Sequence, residues 1–360
     1  MIILIGTKGQ LIKMAPVMKE LQNRGISYKY IQTNQHPQLN RILEKRFGIK
    51  PPDLHLWKSK KDLVKFYETP FWFVACFINA LRNRKFFSNE KLIITHGDTL
   101  STLFACIIGK LFSLKIAHVE AGLRSFNIFH PFPEEIIRRI SSKMATLLFA
   151  PSSWAANNLR NEKGIVVNTK QNTVFDTLAL YTDNENFIKF RPCAEKYVVA
   201  AIHRQETIYN RIRLKKVVDI ILSIAEQFTI VYILHKTSEH QLKKYKLYEK
   251  LENHNNIKIT GYLEYIDFMN LIKKCEFVVT DGGGLQEETY FLNVPCLLLR
   301  QRTEREIGLG ETSFLADLDE KKVKYFLLHY PKFHRKKEFI RFYPSKTIVN
   351  EVVNFLKNFS

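Results

Sequence analysis

Short apolar, β-branched runs alternate with helical patterns along the whole chain, the pattern restarts after about residue 185, and a glycine-bearing turn follows a strand in each half. These observations predict an α/β protein of two Rossmann-like domains, each a parallel sheet covered by helices. Their polar strand ends are expected to face each other across a cleft. The 360 residues are enough for two domains that each bury a core.

In the first half, strands are expected at Ile2 to Ile5, Tyr28 to Thr33, Leu92 to Thr95, Lys115 to Val119 and Leu147 to Ala150, where apolar and β-branched residues run together. Apolar residues at helical spacing place helices at Lys13 to Arg24, Thr102 to Leu111, Glu134 to Ala145 and Trp154 to Arg160. In the second half, the strands are Tyr197 to Ile202, Ile230 to His235, Ile257 to Ile259, Phe277 to Thr280 and Cys296 to Leu299. Helices near Ile212 to Phe228, His240 to Glu252, Tyr265 to Cys275 and Leu285 to Phe291 separate them. The junction falls near Asp183 to Pro192, giving domains at 1–184 and 185–345. A closing helix at 346–360 is short enough to pack back on the first domain.

The formal net charge is +20. A nucleic-acid binder, an enzyme for a polyanionic small substrate such as a nucleotide sugar, and a merely Lys-rich surface all fit that number. The scatter of Lys and Arg favours the last, and no specific nucleic acid is expected. Cys76, Cys106, Cys193, Cys275 and Cys296 are odd in number and form no C-x-x-C pair, so they read as buried hydrophobes in a reducing, cytoplasmic setting. The apolar start Met1 to Ile5 is too short for a signal peptide, and the run Pro70 to Leu81 too short to span a membrane.

Chemistry points to the strand ends. His118-Val119-Glu120-Ala121-Gly122-Leu123-Arg124 follows one strand and His96-Gly97-Asp98-Thr99 another, while Glu134 opens the next helix. Three acids from neighbouring strand ends suit proton transfer. The turn Gly6-Thr7-Lys8-Gly9-Gln10 leads into a helix carrying Lys13 and matches neither a dinucleotide fingerprint nor a P-loop, so no redox cofactor is expected. Asp281-Gly282-Gly283-Gly284 opens a helix directly after a strand, a place where backbone N–H groups receive a diphosphate, with Glu288 one turn on for ribose hydroxyls. Arg300, Arg302 and Arg305 follow the next strand, where guanidinium groups meet phosphate. His203-Arg204-Gln205 and His235 end two strands of this half.

Taken in order, these motifs resemble the UDP-N-acetylglucosamine 2-epimerase family. They are Gly6-Thr7 with Lys13-Met14-Ala15-Pro16, Thr33-Asn34-Gln35-His36, Gly97-Asp98-Thr99, His118 to Ser125, Pro133-Glu134-Glu135, Asn172-Thr173, His203-Arg204, Asp281 to Glu288 and Thr303-Glu304-Arg305. The resemblance implies a GT-B-like fold, a homodimer, no metal and no cofactor. The implied activity is inversion of C2 in a UDP-activated acetamido sugar by loss and return of UDP, for surface polysaccharide synthesis. By motif match, Asp98, Glu120 and Glu134 would move protons or keep their partners in the right ionisation state, His203 would support departing UDP with Lys13 and Arg305 nearby, and Lys8 would help bind the substrate. Gly282, Gly283, Gly284 and Glu288 would hold the nucleotide, and Gln35, His36 and His235 would match a regulatory substrate site. A hydrolysing epimerase that releases free N-acetylmannosamine, and a GT-B glycosyltransferase, are the alternatives. The chain differs from the family pattern at Lys8-Gly9-Gln10, Ile137, Gln205, Gly282 and Glu306-Ile307-Gly308.

Overall fold

The computed structural model describes residues 1–35, 37–58, 68–128, 132–181, 196–336 and 340–358. They fold into two compact units, residues 1–180 with 341–360, and residues 181–340. The first unit contains β1 (Ile2–Ile5), α1 (Lys8–Asn23), β2 (Lys29–Gln32), α2 (Pro37–Phe47), β3 (Leu54–His55), α3 (Thr69–Arg82), α4 (Arg84–Phe87) and β4 (Leu92–His96). It continues with α5 (Leu100–Leu111), β5 (Lys115–Val119), α6 (Glu134–Met144), β6 (Leu147–Ala150), α7 (Ser153–Asn157), β7 (Ile165–Asn168) and α8 (Val174–Tyr181). Its seven strands lie in the order β3-β2-β1-β4-β5-β6-β7, and their pairings are parallel.

The second unit contains β8 (Tyr197–Ala201), α9 (Gln205–Ile208), α10 (Arg211–Ala225), β9 (Thr229–Ile233), α11 (Lys236–Lys244), α12 (Tyr248–Glu252), β10 (Ile257–Thr260) and α13 (Tyr265–Lys273). β11 (Val278–Thr280), α14 (Gly283–Leu292), β12 (Cys296–Leu298), β13 (Ser313–Leu315) and α15 (Glu320–His329) complete it. The sheet order is β10-β9-β8-β11-β12-β13, again parallel. Both orders reverse direction once, at β1/β4 and at β8/β11, and such switch points leave a crevice beyond the strand ends.

Because both faces of each sheet are covered, the central strands are apolar on both sides. Ile2, Leu4, Ile93, Ile116 and Leu148 pack with Trp72 and Phe104 in the first unit. Val198, Tyr232, Val279 and Leu297 pack with Phe277 and Phe326 in the second.

Several elements depart from the sequence expectation, each for a local reason. α1 starts at Lys8 rather than Lys13, because Thr7 and Gln10 cap each other reciprocally and satisfy the helix's first N–H groups. The single helix expected over His240 to Glu252 is two, broken where Lys246 takes φ +58°. The apolar run Pro70 to Leu81 is α3, which buries Trp72, Cys76 and Ala80 and exposes Phe71, Val74, Ile78 and Leu81. The junction expected near Asp183 to Pro192 lies outside the described residues, and the two units divide at 180/181 and 340/341. Among the described residues no helix is long and apolar enough to cross a membrane.

The final helix, α16 (Pro344–Lys357), packs on α1 and is part of the first unit. Buried Asp176 accepts the Ser345 N–H at 2.8 Å, Gln171 Oε1 accepts the Phe342 N–H at 3.1 Å, and Arg24 donates to Asn350 at 2.6 Å. Removing the acceptor strands a buried N–H at the helix entry. Asp176→Ala is expected to lower stability by about 1–3 kcal/mol in urea unfolding, and Asp176→Asn, which keeps an accepting oxygen, to recover most of the loss.

Candidate active site

The carboxyl ends of β4 and β5 bring the first cluster together. The Gly97 N–H donates to Val119 O at 2.9 Å, which sets the turns after the two strands side by side. Glu120 follows β5 with φ +65°, a left-handed conformation that costs a non-glycine residue about 1 kcal/mol or more. Its buried carboxylate answers that cost with partners: Oε2 accepts from Lys13 Nζ on α1 and from Asn172 Nδ2 ahead of α8, and His96 Nε2 lies 3.8 Å away. Gly122, with φ +87°, completes the turn. A Cβ there would stand 2.1 Å from the Ala155 carbonyl of α7, so only glycine lets this loop lie against α7.

Asp98, after β4, pairs with Arg138 NH2 at 2.5 Å. Arg138 also lies 3.4 Å from Glu135 Oε2, and Glu135 in turn accepts from Arg139 at 3.0 Å and from the Ser125 N–H at 3.0 Å. Glu134 stands one helical turn before Arg138, on the same face of α6. The three acids named from the sequence therefore belong to one district, with Asp98 tied to α6 and Glu120 to α1 and α8.

Two buried imidazoles support this district without adding charge. Burial, against the opposing pull of Glu120, pushes His96 down to about 3, and burial likewise pushes His118 down to about 4. His118 Nε2 lies 2.7 Å from Gly97 O, and since a carbonyl only accepts, Nε2 carries the proton. Beneath the turn after β1, Gln10 donates to His96 O at 2.6 Å, joining the first glycine loop to the Asp98 turn. Lys8 opens α1, half-buried. The Gln35 N–H donates to Gly6 O at 3.1 Å, while His36 lies outside the described residues.

The second cluster occupies the β8/β11 switch point. Asp281 is 0% exposed, and its two oxygens accept the backbone N–H groups of His203 at 3.0 Å and Arg204 at 3.1 Å. Gly282 is the N-cap of α14 and supplies no side-chain cap to the helix's first N–H groups. Those groups and the positive end of the helix suit an anion. The His203 ring centre lies 5.3 Å from that of His235, so the structure brings these two predicted residues together.

Gly283 faces Glu304 and Arg305, and Gly284 is exposed. Arg305 pairs with Glu287, and Arg300 sits 3.1 Å from Glu304, so both arginines are held in place by acids. Glu288 lies beside Tyr265, whose phenol is pushed well above its usual range by burial first and by Glu288 second. Among the described residues no group of three or more His, Cys, Asp or Glu is placed to hold a metal ion.

Sequence reasoning gave no role to Arg138 or to the amide of Asn172. Arg138 was detectable as the i+4 neighbour of Glu134, whereas the meeting of Asn172 with Glu120, 52 positions away, follows only from the sheet order.

Two doubly wound parallel units, each with a polar cluster at its switch point, define an enzyme of the GT-B-like α/β class. A family model described as UDP-N-acetylglucosamine 2-epimerase matches residues 19–330. The UDP-N-acetylglucosamine 2-epimerase of Methanocaldococcus jannaschii is 31% identical over 335 residues, 89% of this chain and 90% of that protein. That of Campylobacter jejuni is 32% identical over 325 residues, 84% and 82% of the two chains. The crystal structure of the Methanocaldococcus jannaschii enzyme in complex with UDP-GlcNAc and UDP is similar with a TM-score of 0.85 and 28% identity, covering 98% of this chain and 99% of that one. The Neisseria meningitidis enzyme bound to UDP-GlcNAc is similar with a TM-score of 0.81 and 28% identity over the same shares. The chain belongs to the UDP-N-acetylglucosamine 2-epimerase family.

The imidazoles carry a pH signature. An unfolded histidine titrates near 6.5, so below that pH the unfolded chain binds protons that buried His96 and His118 refuse. Stability is then expected to fall as pH drops from 6.5 towards 4, by about 1.4 kcal/mol per pH unit for each. Glu44 works the other way. Burial raises it to about 7, although Tyr30 donates to it at 2.9 Å and Gln32 at 2.5 Å. It therefore contributes stability that is full below about 4.5 and lost as pH rises to about 7. Urea midpoints at pH 5 and 6.5 are expected to show a steeper pH dependence in Glu44→Gln and a flatter one in His118→Asn.

Proposed function

We propose that this chain interconverts UDP-N-acetylglucosamine and UDP-N-acetylmannosamine, inverting C2 without releasing free sugar. The observations that carry the reading are proton-transfer groups at β4 and β5 in the first unit and, in the second, an anion-ready helix start beside a histidine at β8 and β11. One group takes the proton from C2, the electron pair forms the C1–C2 double bond, and the C1–O bond breaks as UDP leaves. A proton then enters C2 from the other face while a UDP oxygen adds back to C1. The first unit's Asp98, Glu120 and Glu134 serve the proton steps, with Lys13 and Arg138 balancing the charge of Glu120 and Asp98. The second unit's α14 start, with Gly282 to Gly284, takes the diphosphate, Glu288 the ribose, and His203 and Arg305 support departing UDP.

Gly97-Asp98-Thr99 resembles the non-hydrolysing pattern more closely than the hydrolysing one, which supports the return of UDP over attack by water. A glycosyltransferase of the same fold would have no use for three carboxylates in its first unit. Incubation with UDP-N-acetylglucosamine in deuterated water separates all three readings. An intact nucleotide sugar carrying one deuterium at C2 is expected by mass spectrometry. Free sugar plus UDP would assign hydrolysis, and product or recovered substrate without deuterium at C2 would remove the epimerase reading.

We also propose that the chain works as a homodimer through α3. Phe71, Val74, Ile78 and Leu81 are exposed, Phe71 by 75%, and their spacing of three, four and three residues is that of a helix-pairing seam. The seam carries no charge although the whole chain is at +20, so two copies meet there without repulsion. Sedimentation is expected to give twice the chain mass for the natural sequence, and the single-chain mass for Val74→Glu with Ile78→Glu. A single-chain mass for the natural sequence would sink the idea.

A further inference from the structure

His203 reaches its place through the residue that follows β11. Asp281 is fully buried, and a buried carboxylate is tolerated only when its oxygens are well partnered. Here each oxygen accepts one backbone N–H, His203 at 3.0 Å and Arg204 at 3.1 Å, so Asp281 pins the first residues after β8 to the head of α14. Thr280 closes the same seam, accepting the Gly282 N–H at 3.0 Å and donating to Ala201 O at 2.8 Å.

The His203 side chain is 43% exposed, yet it is not loosely placed. Its Nδ1 stands 3.7 Å from Asp281 Oδ1. On the other side, a Cβ at Gly282 would stand 2.8 Å from His203 Cε1 and 3.5 Å from Nε2, so the ring occupies the space that a side chain at 282 would take. Glycine at 282 leaves the room to the imidazole. The ring thereby lies against Gly282, the N-cap of α14, where the proposed diphosphate is received.

We propose that Asp281 is a positioning residue for the reaction: it fixes the backbone of His203 and, through its charge, holds the imidazole above Gly282 in the protonated form that meets departing UDP. The proposal rests on the reading of His203 given above. The charged and titratable groups around this imidazole include Asp281, His235 with its ring centre at 5.3 Å, and the adjacent Arg204. Arg204 is itself turned to Glu206 at 2.6 Å and Glu304 at 3.9 Å. An imidazolium beside a carboxylate is favoured, and a neighbouring histidine and arginine oppose it, so removing the carboxylate lowers the pH at which His203 gives up its proton.

The test is Asp281→Asn in the full chain, read in two ways. In NMR titrations of the His203 ring, its midpoint is expected about 0.5–1 pH unit lower than in the natural sequence. In steady-state kinetics with UDP-N-acetylglucosamine, kcat is expected to fall about tenfold or more with KM nearly unchanged. The alkaline limb of kcat is expected to move down in step with the NMR midpoint. If the Asn variant does not fold, the natural sequence decides: a His203 midpoint above the roughly 6.5 of a free histidine is expected, and one at or below it overturns the proposal. An unmoved His203 midpoint in Asp281→Asn, or a loss expressed only in KM, also overturns it. If the natural sequence has no epimerase activity, the reading of function fails instead, and the NMR midpoint still decides whether Asp281 holds His203.

Discussion

A carboxylate taken out of water must have its charge matched where it sits, and both units are organised around that constraint. In the first, Glu120 is matched by Lys13 and Asn172, which arrive from α1 and the segment before α8. In the second, Asp281 is matched by two backbone N–H groups at the end of β8. Each acid lies just beyond a central strand, so its partners can come only from elements that the parallel order sets beside it. The order of strands and the position of the chemistry are therefore one fact seen at two scales.

The consequence for rigidity is direct. Asp98 is held by Arg138, Arg138 is shared with Glu135, and Glu135 is secured by Arg139 and the Ser125 N–H. A chain of matched charges fixes the orientation of every member, because moving one uncovers the next. His96 and His118 fill the space behind this chain as neutral rings, which keeps the local charge at the value set by the carboxylates and their cations.

Much of this was legible in the amino-acid sequence. The central strands are so uniformly apolar, as in Ile2 to Ile5 and Tyr197 to Ala201, that their type and order of appearance follow from composition alone. The polar turns after them, with Asp98, Glu120, His203 and Asp281 to Gly284, stand out because buried strands do not need such residues. What escaped was of three kinds. Edge strands such as β3 and β13 are two or three residues long and carry too little pattern to read. Partnerships across the sheet, Asn172 with Glu120 or Asp176 with Ser345, join residues 52 and 169 positions apart, and no local signal encodes them. The α1 start was missed for a third reason: Thr7 and Gln10 are a capping pair, and Gly9 inside the first turn masks it.

The pairing of charges also bears on the net charge of +20. Lys13 with Glu120, Arg138 with Asp98, Arg305 with Glu287 and Arg300 with Glu304 are pairs of opposite sign. The excess of Lys and Arg therefore lies outside these pairs, on the wider surface. There it raises the encounter rate with any anion but distinguishes none. In the proposed reading, discrimination falls to the fixed dipoles and hydrogen-bond donors at the head of α14 and to the imidazole beside it. A cation on a long side chain draws in a diphosphate from many directions, whereas backbone N–H groups accept it in one. The proposed reaction, which releases UDP and returns it to the same carbon, would need the second kind of recognition more than the first.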